Sequence, residues 1–217
     1  MTAGRKHRPG RWYLPEVLYE VVLERPLTGI RRLVGELVTE AGLLPLIDIC
    51  CGPGNQLERF AATSLRAGAP SVGLDINFKA VRYAAARRPA FPFVCGDAAH
   101  LPFRAGSFRG ALLSFALHEQ EPQVRLQILR AAREVLAPGG HLILIDFECP
   151  WNSTSRLAYG YTSVIEKLAG RDHFRRNRDF YRRGGLRTLL AENGLKEVLR
   201  HDVAAGTCAI VVAAPGP

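Results

Sequence analysis

Apolar residues recur every three or four positions along residues 14–41: Leu14, Val17, Leu18, Val21 and Val22, then Ile30, Leu33, Val34, Leu37 and Val38. That is the spacing of a helix with one buried face, and Pro26 divides the stretch into one or two such helices. Gly42 marks the stop. From there the pattern changes to short apolar runs alternating with helical stretches. The runs predict strands at 45–50, 71–75, 91–95, 109–115 and 141–147. Helices are expected at 54–67 (face Leu57, Phe60, Ala61, Ser64, Leu65), at 77–88 (Asn77 as N-cap, Pro89 as stop) and at 122–137 (stripe Val124, Ile128, Ala131, Val135). Ala137-Pro-Gly-Gly140 reads as a sharp turn.

Strands joined through helices form parallel sheets covered on both faces. The end of the chain departs from that rhythm. After a helical stretch at 153–192, strands at 196–203 and 207–214 are separated only by Ala204-Ala-Gly206, too short for a parallel crossover. They must form an antiparallel hairpin. The expected fold is α/β: a Rossmann-like, seven-stranded, mostly parallel sheet with an antiparallel last strand and helices on both faces. Residues 1–44 are read as a basic tail and helical cap, and 45–217 as the sheet domain.

The carboxyl ends of such strands are where ligands bind. Here the first strand runs into Asp48-Ile-Cys-Cys-Gly-Pro-Gly54, and the second ends at Asp75, placed to accept from both hydroxyls of a ribose. Leu57 stands where a dinucleotide fingerprint needs its third glycine, which argues against NAD. No Walker-type phosphate loop is present.

Composition adds three constraints. The chain has 217 residues, 47% of them hydrophobic, with no apolar run near the ~20 residues that span a bilayer. Its five cysteines show neither zinc-like spacing nor a disulfide framework, and no metal ligand set is read; a cytoplasmic location is expected. The net charge is +9, with four Lys and the remaining 25 of the 29 basic residues Arg, clustered at Arg5–Arg11 and Arg171–Arg187. Such clusters are a solvated face, or they attract anionic partners: an anionic membrane surface, an acidic substrate or nucleic acid.

Asp48 to Gly54, Gly73-Leu-Asp75, Cys95-Gly-Asp-Ala98, Leu101-Pro-Phe103, Ser114-Phe-Ala-Leu-His118 and Arg133-Glu-Val-Leu-Ala-Pro-Gly-Gly140 resemble, in order and spacing, the class I S-adenosylmethionine-dependent methyltransferases. The resemblance covers roughly residues 45–215. It implies S-adenosylmethionine as cofactor: the loop (Asp48, Cys50, Cys51, Gly52, Gly54, Asn55) holds the methionine part, Asp75 and Ile76 the ribose, Asp97 and Ala98 the adenine, and Ser114 lies nearby. The family's usual first glycine is Cys50 here. An Asp-x-Cys-Cys-Gly loop occurs in the ubiquinone/menaquinone C-methyltransferases, and Asp146-Phe-Glu-Cys-Pro150 and Gly206-Thr-Cys-Ala209 resemble that branch.

The reaction expected is therefore methylation of a small hydrophobic or aromatic, quinone-like acceptor. His118 is the candidate base, its alternative a helix-entry histidine bonding Glu119 or Glu121. Tyr159, Tyr161 and His173 are candidates for the acceptor pocket, the alternatives being core tyrosines and a solvent-facing loop histidine. The segments 11–41 and 151–185 are expected to cover the pocket. Two other readings stand beside this one. Methylation of RNA would suit the charge, although the fourth strand ends Ser114-Phe-Ala-Leu rather than in an Asn/Asp-Pro-Pro-aromatic run. A non-catalytic protein that binds the cofactor is the third.

Overall fold

A computed structural model describes residues 16–66, 68, 70–150, 153, 159 and 171–216, without the side chains of 16–26 and 65. Tyr161, the Arg5–Arg11 cluster and most of 151–170 lie outside the described residues. The helices are α1 (Glu16–Glu40), α2 (Ala61–Arg66), α3 (Phe78–Arg87), α4 (Pro122–Glu134), α5 (Arg171–Arg182) and α6 (Gly185–Glu192). The strands are β1 (Leu46–Ile49), β2 (Val72–Asp75), β3 (Phe93–Cys95), β4 (Phe108–Ser114), β5 (Leu136–Phe147), β6 (Leu195–Val203) and β7 (Cys208–Pro215).

They form one sheet in the order β3-β2-β1-β4-β5-β7-β6, in which β7 alone runs against the rest. The expected fold is present. The β6–β7 connection turns through three consecutive residues with positive φ, Ala204, Ala205 and Gly206, which closes the hairpin in the space the sequence allowed.

Alternation along the central strands divides the core. Leu46, Leu112, Ile143 and Ile145 point to the face covered by Val34, Leu37 and Val38 of α1 and by Phe60. Ile47, Ala111, Leu113, Leu142 and Leu144 point to the opposite face, under Ile128, Leu129 and Ala132 of α4 and Leu186, Leu189 and Leu190 of α6. The second half of α1 is thus a layer of the sheet, built from the residues whose spacing marked it. Four details differ from the sequence pattern. α1 runs unbroken through Pro26, a single missing N–H being absorbed by 25 residues of cooperative helix. The stretch 54–67 begins as a loop and a 3₁₀ turn (Leu57–Phe60) before α2, because its first residues bend around the end of β1. Residues 137–140 belong to the bulged start of β5, with a register shift opposite Phe108 and Gly110. Finally, α4 buries Arg125 where only apolar residues were expected.

Close approach of elements at the β1–β2 edge depends on Gly73. A Cβ there would lie 2.6 Å from the Phe93 ring and 2.8 Å from Cys51 Sγ, inside van der Waals contact. Gly73→Ala is expected to destabilise the protein by about 1–3 kcal/mol, read as a lower urea midpoint with an unchanged m-value; an unchanged midpoint would show that Phe93 yields freely.

Candidate active site

The strand order reverses between β1 and β4, whose neighbours β2 and β5 lead away in opposite directions. A crevice opens at their carboxyl ends, as it must where successive crossovers leave in opposite directions. The chain leaving β1 takes left-handed conformations at Cys50 (φ 61°), Gly52 (φ 53°) and Gly54 (φ 80°), folding it back under its own strand. For a non-glycine residue that conformation costs about 1–2 kcal/mol, and Cys50 occupies it.

Asp75 fixes this turn. Its Oδ2 accepts the Gly52 N–H (2.8 Å) and its Oδ1 the Asn77 N–H (2.8 Å), so one carboxylate couples the loop after β1 to the start of α3. Asn77 in turn caps α3 by accepting from Lys79 N–H (3.1 Å). Burial raises the pKa of Asp75, and the N–H donors of Asn77, Gly52 and Ile76 offset part of that rise. From behind, the buried Arg88 guanidinium donates to the Pro53 carbonyl (2.7 Å) and to Asn55 Oδ1.

The loop walls a small cleft of about 40 Å³ lined by Arg31, Asp48, Cys50, Cys51, Gly52, Pro53, Gln56, Ser114 and Phe115. Five of the residues named from sequence therefore meet here: Asp48, Cys50, Cys51, Gly52 and Ser114. Asp48 is buried, and desolvation lifts its pKa to about 7 despite the opposing pull of Arg31; Asp75 adds to the rise. Burial and the surrounding carboxylates push Cys50 and Cys51 well above the usual thiol range. Both stay protonated at neutral pH, which argues against nucleophilic sulfur chemistry.

The remaining residues are placed differently. The Gly54 position presses on the Phe93 ring, so its glycine serves packing. Asn55 is buried, with its side-chain oxygen held by Arg88. Ile76 is exposed and Ala98 buried in the core. Asp97, at the exit of β3, accepts the Ala99 N–H (2.9 Å) and faces His100 Nδ1 (3.3 Å).

A second group lies at the ends of β4 and β5. Asp146, 1% exposed, accepts from four donors: Leu117 N–H (3.0 Å) and His118 N–H (3.2 Å) on Oδ2, Phe147 N–H (2.8 Å) and His118 Nδ1 (2.7 Å) on Oδ1. A carboxylate so engaged acts only as an acceptor, so Nδ1 of His118 carries the hydrogen and, in the neutral ring, Nε2 keeps its lone pair. His118 therefore bonds Asp146 rather than Glu119 or Glu121; its Nε2 stands 4.0 Å from Glu119 Oε1. His173 lies on α5, not in a loop, and packs edge-on against His118 with ring centres 5.6 Å apart.

Aromatic rings continue from there. Phe147 meets His118 edge-on (4.7 Å), Tyr181 packs tilted against Phe147 (5.5 Å) and Tyr159 meets Tyr181 edge-on (4.5 Å). Phe115 joins the two groups: its ring lines the cleft and meets Phe147 at 5.9 Å, and it too is left-handed (φ 52°). Arg125 anchors the assembly, donating to the Leu117 carbonyl (2.9 Å), Asp179 (3.1 Å) and the Arg176 carbonyl (3.0 Å).

Arg31, Phe115, Arg125, Asp146 and Tyr181 were not identified from sequence. Asp146 carried the one available signal, a carboxylate ending an apolar strand beside the Ser114–His118 exit; the others reach the site only through tertiary packing.

Residues 46–140 match the methyltransferase domain family. An uncharacterized methyltransferase of Synechocystis is 39% identical over 107 residues, 49% of this chain and 49% of the relative. A demethylmenaquinone methyltransferase of Renibacterium salmoninarum is 33% identical over 131 residues, 59% of this chain and 52% of the relative. The chain thus spans about half the length of these relatives. Among solved structures, an O-methyltransferase family protein from Burkholderia thailandensis superposes with a TM-score of 0.67 at 15% identity, covering 93% of this chain and 59% of the other. The matched segment holds the strand-end loop and most of the strands that shape the cleft, and over it the chain is similar to methyltransferase domains.

Proposed function

We propose that the protein transfers a methyl group from S-adenosylmethionine to a small aromatic, quinone-like acceptor. The observation that carries this reading is the Phe115 ring, which walls the glycine-loop cleft on one side and the His118–Phe147 aromatic row on the other. The name of the Renibacterium relative supports the quinone-like acceptor. Arg175 and Arg176 pair with Glu121, and Arg183 with Asp179, so part of the basic cluster is engaged internally, which weighs against RNA. Arg171, Arg178, Arg182 and Arg187 are exposed and suit a peripheral contact with an anionic membrane surface. Among the described residues no helix is long and apolar enough to cross a membrane.

The cleft fits the amino-acid end of the cofactor, which carries an ammonium and a carboxylate. Asp48 offers a buried acceptor for the first and Arg31 a cation for the second. Asp75 keeps acceptor capacity beyond the N–H groups of Gly52, Asn77 and Ile76, since each carboxylate oxygen has two lone pairs; this suits it to the ribose. Ser114 lies on the cleft wall; Ile76 and Asp97 line the approach to the adenine, and α1 and α5 cover the pocket. When bound, S-adenosylmethionine supplies a methyl carbon on a sulfonium sulfur that departs as a neutral thioether. His118 Nε2 takes the proton the acceptor gives up, while Asp146 holds the ring in the tautomer that can do so. Phe147, Tyr181 and Tyr159, with His173 against His118, receive the flat acceptor and keep water out.

Three outcomes test the reading. Calorimetric titration should show S-adenosylhomocysteine binding and none with NAD, and Asp75→Ala should weaken it at least about tenfold, ~1.4 kcal/mol; equal affinity in the variant would remove Asp75 from the site. Asp48 must ionise to receive an ammonium, and its free-state pKa of about 7 lies above that expected in the complex. Binding should then weaken as pH falls below 7, by close to tenfold per unit, with release of about one proton at pH 6; Asp48→Asn should abolish the release. Finally, His118→Gln should lower kcat by roughly 10²–10⁴ in labelled-methyl transfer to a demethylated menaquinol, with the Kd for S-adenosylhomocysteine unchanged. Label appearing in tRNA instead would move the acceptor class to RNA.

A further inference from the structure

His118, Glu119 and His173 present ligand atoms that all lie within 4.8 Å of one another. His118 Nε2 is 4.0 Å from Glu119 Oε1, and His173 Nδ1 is 3.8 Å from the same oxygen. Both separations are below about 4.2 Å, twice a usual metal–nitrogen or metal–oxygen bond, so one ion can bridge either pair without moving the backbone. The wider spread across the triad closes with side-chain rotation, since Glu119 is exposed and His173 only half-buried.

The surroundings are those of a metal ligand set. The Asp146 carboxylate holds Nδ1 of His118 and so directs the Nε2 lone pair toward Glu119 and His173. This is the outer carboxylate–histidine arrangement that orients and strengthens an imidazole ligand. The two imidazoles come from elements far apart in sequence, the exit of β4 and the helix α5. Arg125 clamps these together through the Leu117 carbonyl, Asp179 and the Arg176 carbonyl, and Arg176 also donates to the Glu119 carbonyl (3.3 Å). The ligand spacing is therefore set by the fold.

We propose that His118, Glu119 and His173 bind one first-row divalent cation. Two imidazoles and one carboxylate select the zinc class over magnesium or calcium, which prefer all-oxygen sites. The cation would sit on the same Nε2 lone pair that the methyl-transfer reading assigns to the acceptor's proton. Occupancy and proton uptake exclude each other, so the site is inhibitory; this consequence alone rests on the proposed function.

The test is a zinc titration of the full chain after chelator stripping, with S-adenosylhomocysteine binding measured on the same preparations. Wild type should take up about one equivalent at micromolar concentration. Glu119→Gln and His173→Gln should each weaken uptake at least about tenfold while leaving the Kd for S-adenosylhomocysteine unchanged, which shows that the variants are folded. Added zinc should suppress methyl transfer, and chelator should restore it. Absence of micromolar binding, or zinc uptake indifferent to both substitutions, as the cysteines would give, overturns the proposal. Zinc uptake as expected without binding of S-adenosylhomocysteine would leave the cation site standing and remove the methyltransferase reading.

Discussion

A carboxylate buried at the end of a strand must find a donor for each lone pair or destabilise the fold, and Asp146 meets that demand with three backbone N–H groups and one imidazole. Two of those N–H groups belong to the segment leaving β4, so the same bonds that solvate the charge fix the path of residues 115–118. His118 is thereby set in orientation and tautomer, Phe147 beneath it, and the aromatic rings follow in contact. Removal of the carboxylate would leave three amides and a buried imidazole without their acceptor.

Asp75 performs the same service one strand pair away, but for a loop that must bend through left-handed residues. The two carboxylates differ in what remains to them. Asp146 is filled by four protein donors, whereas Asp75, with three N–H groups beside it and less deeply buried, keeps acceptor capacity. Asp48, between them on β1, is held in a third state: buried beside Arg31, it lies close to its midpoint at neutral pH. Three acids at three strand ends thus do three different things, and the differences come from their donors rather than from their chemistry.

Much of the frame was legible because it rests on local rules. Apolar alternation located the strands, Asn77 announced the start of α3, and the three-residue 204–206 link forced the hairpin. The cleft residues between Asp48 and Gly52 followed from the glycine turn after β1. What escaped was tertiary. Arg31 lies 17 positions before Asp48, on a helix whose pattern marks it as an ordinary polar residue. Arg125 interrupts an apolar stripe for the sake of carbonyls on another helix. The run Arg171 to Arg176 falls in the helical stretch expected at 153–192 and opens α5, but its polar residues gave no sign that Asn177, Phe180 and Tyr181 beyond it would be buried at helical spacing. Asn55 and Gly54 belong to the loop as read, but their sides turn to Arg88 and Phe93.

The saturation of Asp146 also dictates traffic. An imidazole that accepts a hydrogen at Nε2 could in principle pass charge inward through Nδ1, but Oδ1 and Oδ2 are already occupied and walled from water. On the proposed reading, whatever arrives at Nε2 must depart from Nε2. Nε2 stands 4.0 Å from the exposed Glu119, so the chemistry at His118 is a cul-de-sac that has to be emptied from the Nε2 side between one turnover and the next.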